Sequence, residues 1–232
     1  MQLKQLILAI CLFLIFNSGR AGSVDTITVF SNAMQKTIKC VVISPSNYKK
    51  SSKKYPVLYL LHGYGGNYAR WINVAPQLKD QVDALQLLIV CPDAGYGSWY
   101  ADSPADSAVK YETFTATELV NYIDSNYHTL TDRGHRAITG LSMGGHGALF
   151  LAARHKNQYG AAGSMSGLVD LSFFPKGMNF QHLFGDSTVN AANLKKYSAT
   201  TALESLKNRE LALTIDCGIY DFLIIPNRAL HQ

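Results

Sequence analysis

Charge is scarce in this sequence. Asp, Glu, Lys and Arg together make up 16% of the residues while apolar types make up 47%, a balance that excludes an intrinsically disordered chain. Internal repeats and low-complexity tracts are absent, which excludes a solenoid or an array. Cysteine is also sparse. Apart from Cys11, near the N-terminus, there are Cys40, Cys91 and Cys217, odd in number and far apart. Each lies in an apolar, strand-like run, so they read as small core residues, not as a disulfide framework or a zinc centre. At 232 residues the chain suits one well-buried domain.

The N-terminus reads as an export signal over residues 1–21. Lys4 supplies the positive start, residues 6–16 form an apolar run too short to span a bilayer, and Ser18, Gly19 and Ala21 offer small residues for cleavage. The expectation is a secreted or periplasmic protein with no stable membrane insertion once the signal is removed. Its removal takes away Lys4 and Arg20 and no acid, so the net charge falls from +5 to +3. That charge is too small and too dispersed for a nucleic-acid partner.

From residue 22 onward the pattern is α/β. Apolar runs at 37–43, 56–61, 87–91, 136–141 and 211–217 fit strands covered on both faces. Between them, residues 75–84, 111–127, 144–155 and 193–207 read as amphipathic helices. The alternation predicts a mostly parallel central sheet with helices on both faces, and residues 26–30 with 37–43 an antiparallel hairpin at one edge. In such sheets the site lies beyond the carboxyl ends of the strands, in the loops after Leu61, Cys91, Leu141, Ser166 and Cys217.

Two motifs fall in those loops. Gly140-Leu141-Ser142-Met143-Gly144 follows an apolar run and opens a helix-like one, the strand–turn–helix setting that exposes a nucleophilic serine. Glycines two positions either side of Ser142 suit a strained turn, and the helix start presents free N–H groups to a developing oxyanion. Leu61-His62-Gly63-Tyr64-Gly65-Gly66 follows another buried run. In this arrangement Met143 supplies one oxyanion N–H and Tyr64 is the choice for the second. Asp221 follows the last apolar run. By residue type it suits a helix N-cap as well as a catalytic acid, and Asp216 is its nearest competitor.

Taken in order, the leucine–histidine–glycine strand end, Ser98-Trp99-Tyr100-Ala101-Asp102-Ser103-Pro104, Lys110-Tyr111-Glu112-Thr113-Phe114, the serine block and the residues from Asp216 to Leu223 resemble the esterase D-like group of α/β-hydrolases. That group includes S-formylglutathione hydrolases, feruloyl and acetylxylan esterases, and mycolyltransferases. The resemblance implies an α/β-hydrolase fold over residues 22–232 and a serine carboxylic-ester hydrolase that forms an acyl-enzyme on Ser142 and then admits water. It makes Asp221 the triad acid and implies no metal and no organic cofactor. It also implies that the chain stops before the group's last strand and helix, and so before the histidine base.

None of the seven histidines occupies that place. His231 is about 15 Å along a helix from Asp221, His146 packs at a helix start, and His62 lies on the oxyanion side. His128, His135 and His155 flank far elements, which leaves His182 as a substitute base. The expected substrate is a small ester or an acylated carbohydrate, with acyl or feruloyl groups on a plant polysaccharide first. Trp99 and Tyr100 are expected to line its pocket, with a lid over residues 170–192 carrying Phe173, Phe174, Phe180 and Phe184. An acyltransferase using the same nucleophile and a non-catalytic ligand-binding domain are the alternatives. The oligomeric state stays open.

Overall fold

The computed structural model describes residues 22–174, 178–186 and 190–231, with Asn190 and His231 as backbone only. The export-signal segment, residues 1–21, lies outside the described residues. A seven-stranded sheet runs through the rest: β1 (Ser23–Ser31), β2 (Lys36–Ser44), β3 (Val57–Leu61), β4 (Leu88–Pro92), β5 (Arg136–Leu141), β6 (Ala161–Met165) and β7 (Ala212–Asp216). The spatial order is β1-β2-β4-β3-β5-β6-β7. β1 and β2 form the expected antiparallel hairpin, β2 pairs antiparallel with β4, and the remaining pairs are parallel.

Alternation of side chains explains why the apolar runs are continuous. On β2, Cys40 and Val42 enter one core while Val41 and Ile43 enter the other. Tyr59 and Leu61 of β3 and Leu88 and Val90 of β4 join the first, whereas Leu60, Ile89 and Cys91 join the second. Both faces of these strands are dry, so neither register of polar residues is tolerated. Burial pushes the Cys40 thiol up to about 12 and raises Cys91 too, which makes both inert packing residues. Cys217 departs from the expectation: it is only half-buried, in the segment just past β7.

The helices follow the predicted order with different boundaries. The expected helix over 75–84 starts later, at Leu78–Leu85, and a short helix not expected from the sequence, Arg70–Val74, precedes it; Pro76 separates them because it cannot donate into a helix and biases Ala75 away from helical backbone. The helical stretch from Tyr111 carries a π-type turn at Phe114–Glu118, around which Phe114, Leu119, Val120 and Ile123 stay buried. The stretch over 193–207 breaks at Ser198, whose extended backbone separates Asn190–Tyr197 from Ala199–Leu203. The Met143–Arg154 helix crosses the sheet centre and is buried along nearly its whole length.

The apolar run of β7 reads as a strand covered on both faces, but without the last strand of the resembled group it is expected at an exposed edge. It is the outermost strand of the described sheet, with Ala212, Leu213, Thr214 and Asp216 exposed. Its free edge offers unpaired N–H and C=O groups beside an apolar side chain, Leu213, at 44% exposure. Placing a charge there is the device natural edges use. Leu213→Lys should therefore lower concentration-dependent aggregation, followed by light scattering, while shifting stability by no more than about 0.5 kcal/mol.

Candidate functional site

The sheet places β5 directly beside β3, so the loops after Leu61 and Leu141 open side by side. Ser142 sits at the turn between β5 and its helix with φ 56° and ψ −115°, a left-handed backbone that a side chain adopts only under constraint. The constraint is visible in the glycines. A Cβ on Gly140 would lie 2.5 Å from the Gly144 carbonyl carbon, and one on Gly144 would lie 2.4 Å from the Leu61 oxygen. Only glycine allows this approach, so the two glycines hold the serine up and forward. The Ser142 N–H donates to the Met165 carbonyl at 2.9 Å, which ties the turn to β6.

Met143 is the first residue of the following helix, so its N–H has no acceptor within the helix. On the facing loop, Gly63 is close enough that a Cβ there would lie 3.5 Å from the Ser142 Cβ. Gly65 N–H donates to the Tyr96 carbonyl at 2.7 Å and Gly66 N–H to the Gly63 carbonyl at 3.0 Å. The Tyr64 N–H has no acceptor among the described residues. Two free backbone donors, on Met143 and Tyr64, thus come from opposite sides of one turn.

A cavity of about 440 Å³ opens at this point, lined by Gly63 through Asn67, Arg70, Asn73, Leu141 and Ser142. Trp99 and Tyr100 do not border it. Both are buried, at 1% and 0% exposure. They lie on successive left-handed residues, with φ 56° and 55°. The Tyr100 hydroxyl donates to the His62 carbonyl at 3.0 Å, and the Trp99 ring lies 6.1 Å from Tyr64 and 5.0 Å from Phe180. They pack beneath the loop after β3. The expected aromatic lid is also different. Phe180 and Phe184 are buried against Trp99 and Tyr197, and none of the four lid phenylalanines borders the cavity.

The six histidines whose side chains are described are committed elsewhere. Ala94 N–H donates to His62 Nε2 at 2.9 Å, so the His62 proton sits on Nδ1 and is donated to the Gly63 carbonyl at 2.8 Å. Burial lowers the His62 pKa, which keeps the ring neutral in this pinning role. His146 donates Nε2–H to the Tyr197 carbonyl at 2.9 Å and stacks on Phe150. His135 pairs with Asp132 and His155 with Glu112, while His128 packs against Tyr48. His182 lies 3.0 Å from Asp106 and is mostly exposed, away from the cavity lining. No histidine lines the Ser142 cavity among the described residues.

Asp221 lies past the end of β7, with β6 between that strand and the serine's strand. Its Oδ1 accepts the Leu223 N–H at 2.8 Å and its carbonyl accepts the Ile224 N–H at 3.0 Å, so it shapes the entry to the Ile224–His231 helix. Asn227 of that helix donates to the Gly167 carbonyl at 2.8 Å, docking it on the loop after β6. No hydrogen bond joins Asp221 to Ser142 among the described residues. Nor do the described residues contain a cluster of three metal-ligating side chains.

Three comparisons bear on this arrangement. The Esterase family model matches residues 31–221. A solved ferulic acid esterase is 31% identical, with 92% of this chain and 85% of that chain covered and a TM-score of 0.76. An acetyl esterase of Caldicellulosiruptor saccharolyticus is 27% identical over 89% of this chain and 84% of its own. An esterase of Mycobacterium tuberculosis is 36% identical over 56% of this chain, and the match spans 29% of that protein's length. The fold, with its mostly parallel sheet, is that of an α/β-hydrolase.

His146 gives a pH test of how firmly the serine's helix is packed. Burial lowers its pKa from 6.5 to about 4. The unfolded chain therefore binds a proton at higher pH than the folded one. The stability is full above about pH 6.5 and is lost as pH falls toward 4, by about 3 kcal/mol. His146→Gln keeps a donor but does not titrate. Urea unfolding across this window should show a shallower loss of stability in the variant, whatever its stability at neutral pH.

Proposed function

Since the chain belongs to the Esterase family, we propose that it is built for carboxylic-ester chemistry through an acyl-enzyme on Ser142. The observation that carries this reading is the strained serine between Gly140 and Gly144, which borders a cavity together with Tyr64, while the backbone N–H groups of Met143 and Tyr64 have no acceptor among the described residues. The Ser142 hydroxyl attacks the ester carbonyl, and the Met143 and Tyr64 amides stabilise the oxyanion that forms. Collapse expels the alcohol and leaves the acyl group on the serine, which water then removes. In this reading Asp221 is the acid that orients the base, and the base is an imidazole that none of the described side chains supplies. The substrates are acyl or feruloyl esters of carbohydrates. The likeness to proteins named as ferulic acid and acetyl esterases supports this. So does the export signal read in residues 1–21, which sets the activity outside the cytoplasm.

The test is covalent labelling. A fluorophosphonate should modify the tryptic peptide holding Ser142, and Ser142→Ala should abolish the mass shift. Because the cavity lacks an imidazole among its lining residues, labelling should be slow. Free imidazole in the buffer should speed it by about tenfold or more, as a positioned general base would. Label that survives Ser142→Ala removes the serine from the mechanism. On substrates, short acyl or feruloyl esters should be cleaved in preference to emulsified long-chain triglycerides. The Ser142 cavity has no extended leucine- and isoleucine-rich wall, its one leucine being Leu141.

A further inference from the structure

The Ser142 cavity carries a charge that the proposed mechanism does not use. Arg70 is the one charged residue among those lining it. Its guanidinium has neither an ion pair nor a side-chain hydrogen bond among the described residues. Arg136, Arg154 and Arg133 are engaged by Asp124, Glu112 and the Tyr159 carbonyl, whereas Arg209 and Arg228 also lack such a partner among the described residues, so it is the place of Arg70 in the cavity wall that sets it apart. Five donors in a planar fork, left unpaired in a cavity without acids, match a carboxylate better than a hydroxyl.

The placement of Arg70 is fixed by the same elements that position the serine. Trp71, next in sequence, donates its indole N–H to the Leu61 carbonyl at 3.0 Å, which pins this short helix to the end of β3. Arg70 N–H donates to the Asn67 carbonyl at 3.0 Å, closing the loop back over the glycines. Asn67 Oδ1 accepts the Ala69 N–H at 2.9 Å, so the Asn67 amide nitrogen remains as a second donor at the cavity. Asn73 adds a third polar side chain to the same wall.

We infer that this cavity selects esters that carry a carboxylate, and that Arg70 is the residue that reads it. The inference rests on the proposal that the cavity receives an ester, and it deepens that proposal by giving the substrate a charge. An acidic sugar esterified near its carboxylate, or an acyl group with a free acid end, would both present the required chemistry.

Equilibrium binding to the Ser142→Ala chain, in which turnover is blocked, separates these points. Benzyl hydrogen succinate carries its carboxylate on the acyl side, and benzoyloxyacetate carries it on the alcohol side. Each is compared with its neutral methyl ester by calorimetry at low ionic strength. In at least one pair the anion should bind about fivefold more tightly, the upper range for an exposed ion pair. The pair that shows the preference identifies the side of the ester that Arg70 meets. The preference should disappear in Arg70→Gln, persist in part in Arg70→Lys, and shrink as salt is added. An exposed side chain can be replaced without unfolding the chain, and a thermal melt of each variant checks this. Equal binding of anion and methyl ester in both pairs overturns the inference, as does a preference that survives Arg70→Gln. The outcome is independent of labelling at Ser142. A charge preference lost with Arg70 but no labelling would leave this inference standing and remove the reaction.

Discussion

The backbone of Gly144 passes so close to the Leu61 carbonyl that even one added carbon would collide with it. This approach welds the start of the serine's helix to the end of the neighbouring strand, and most of the site follows from it. It holds Ser142 in its left-handed turn and brings Gly63 against the serine. It also makes the Leu61–Gly66 loop the opposite wall of the cavity. The cost of one strained residue is met by hydrogen bonds on three sides: Ser142 N–H to Met165, Trp71 to Leu61, and Tyr100 to the His62 carbonyl.

A second layer holds the loop from below. His62 accepts from Ala94 and donates to Gly63, so one neutral ring joins the loops after β3 and β4. Tyr100 and Trp99 fill the space beneath, Tyr100 lying so close to Gly147 that a Cβ there would stand 2.4 Å from its ring. Such a floor gives the aromatic and imidazole side chains gathered here a packing role. Burial that suits packing also lowers the histidine pKa and raises the tyrosine pKa, and both effects favour inert neutral forms.

Much of this was legible from the chain. Continuous apolar runs announce strands covered on both faces, and β2, β3 and β4 are so covered because each splits its residues between two cores. The serine turn is legible because its glycines are demanded by contact distances, a local requirement that leaves a local pattern. Boundaries set by single residues were less visible, such as the break that Pro76 imposes before Leu78. Trp99 and Tyr100 were misplaced for a different reason. Aromatic residues in a loop after a strand fit a pocket wall or a buried floor equally well, and only the tertiary contacts decide. Position along the sheet edge is invisible to periodicity: β7 has the composition of a covered strand, and its outermost place was legible only through the resemblance, which sets one more strand beyond it.

Arg70 belongs to the same class of hidden information. In the sequence it is one cation among many, between Ala69 and Trp71. Its meaning comes from the Trp71 indole, which anchors the short helix to the carbonyl that Gly144 approaches. The contact that shapes the serine turn therefore also fixes where a positive charge stands relative to it. In a cavity whose remaining lining is neutral, that charge has no acidic partner among the described residues. A free guanidinium costs little while it stays in water, and a ligand that supplies a carboxylate there gains a directed, bidentate partner. In the proposed ester chemistry, the backbone approach that shapes the serine turn thus also sets the electrostatic character of the cavity beside it.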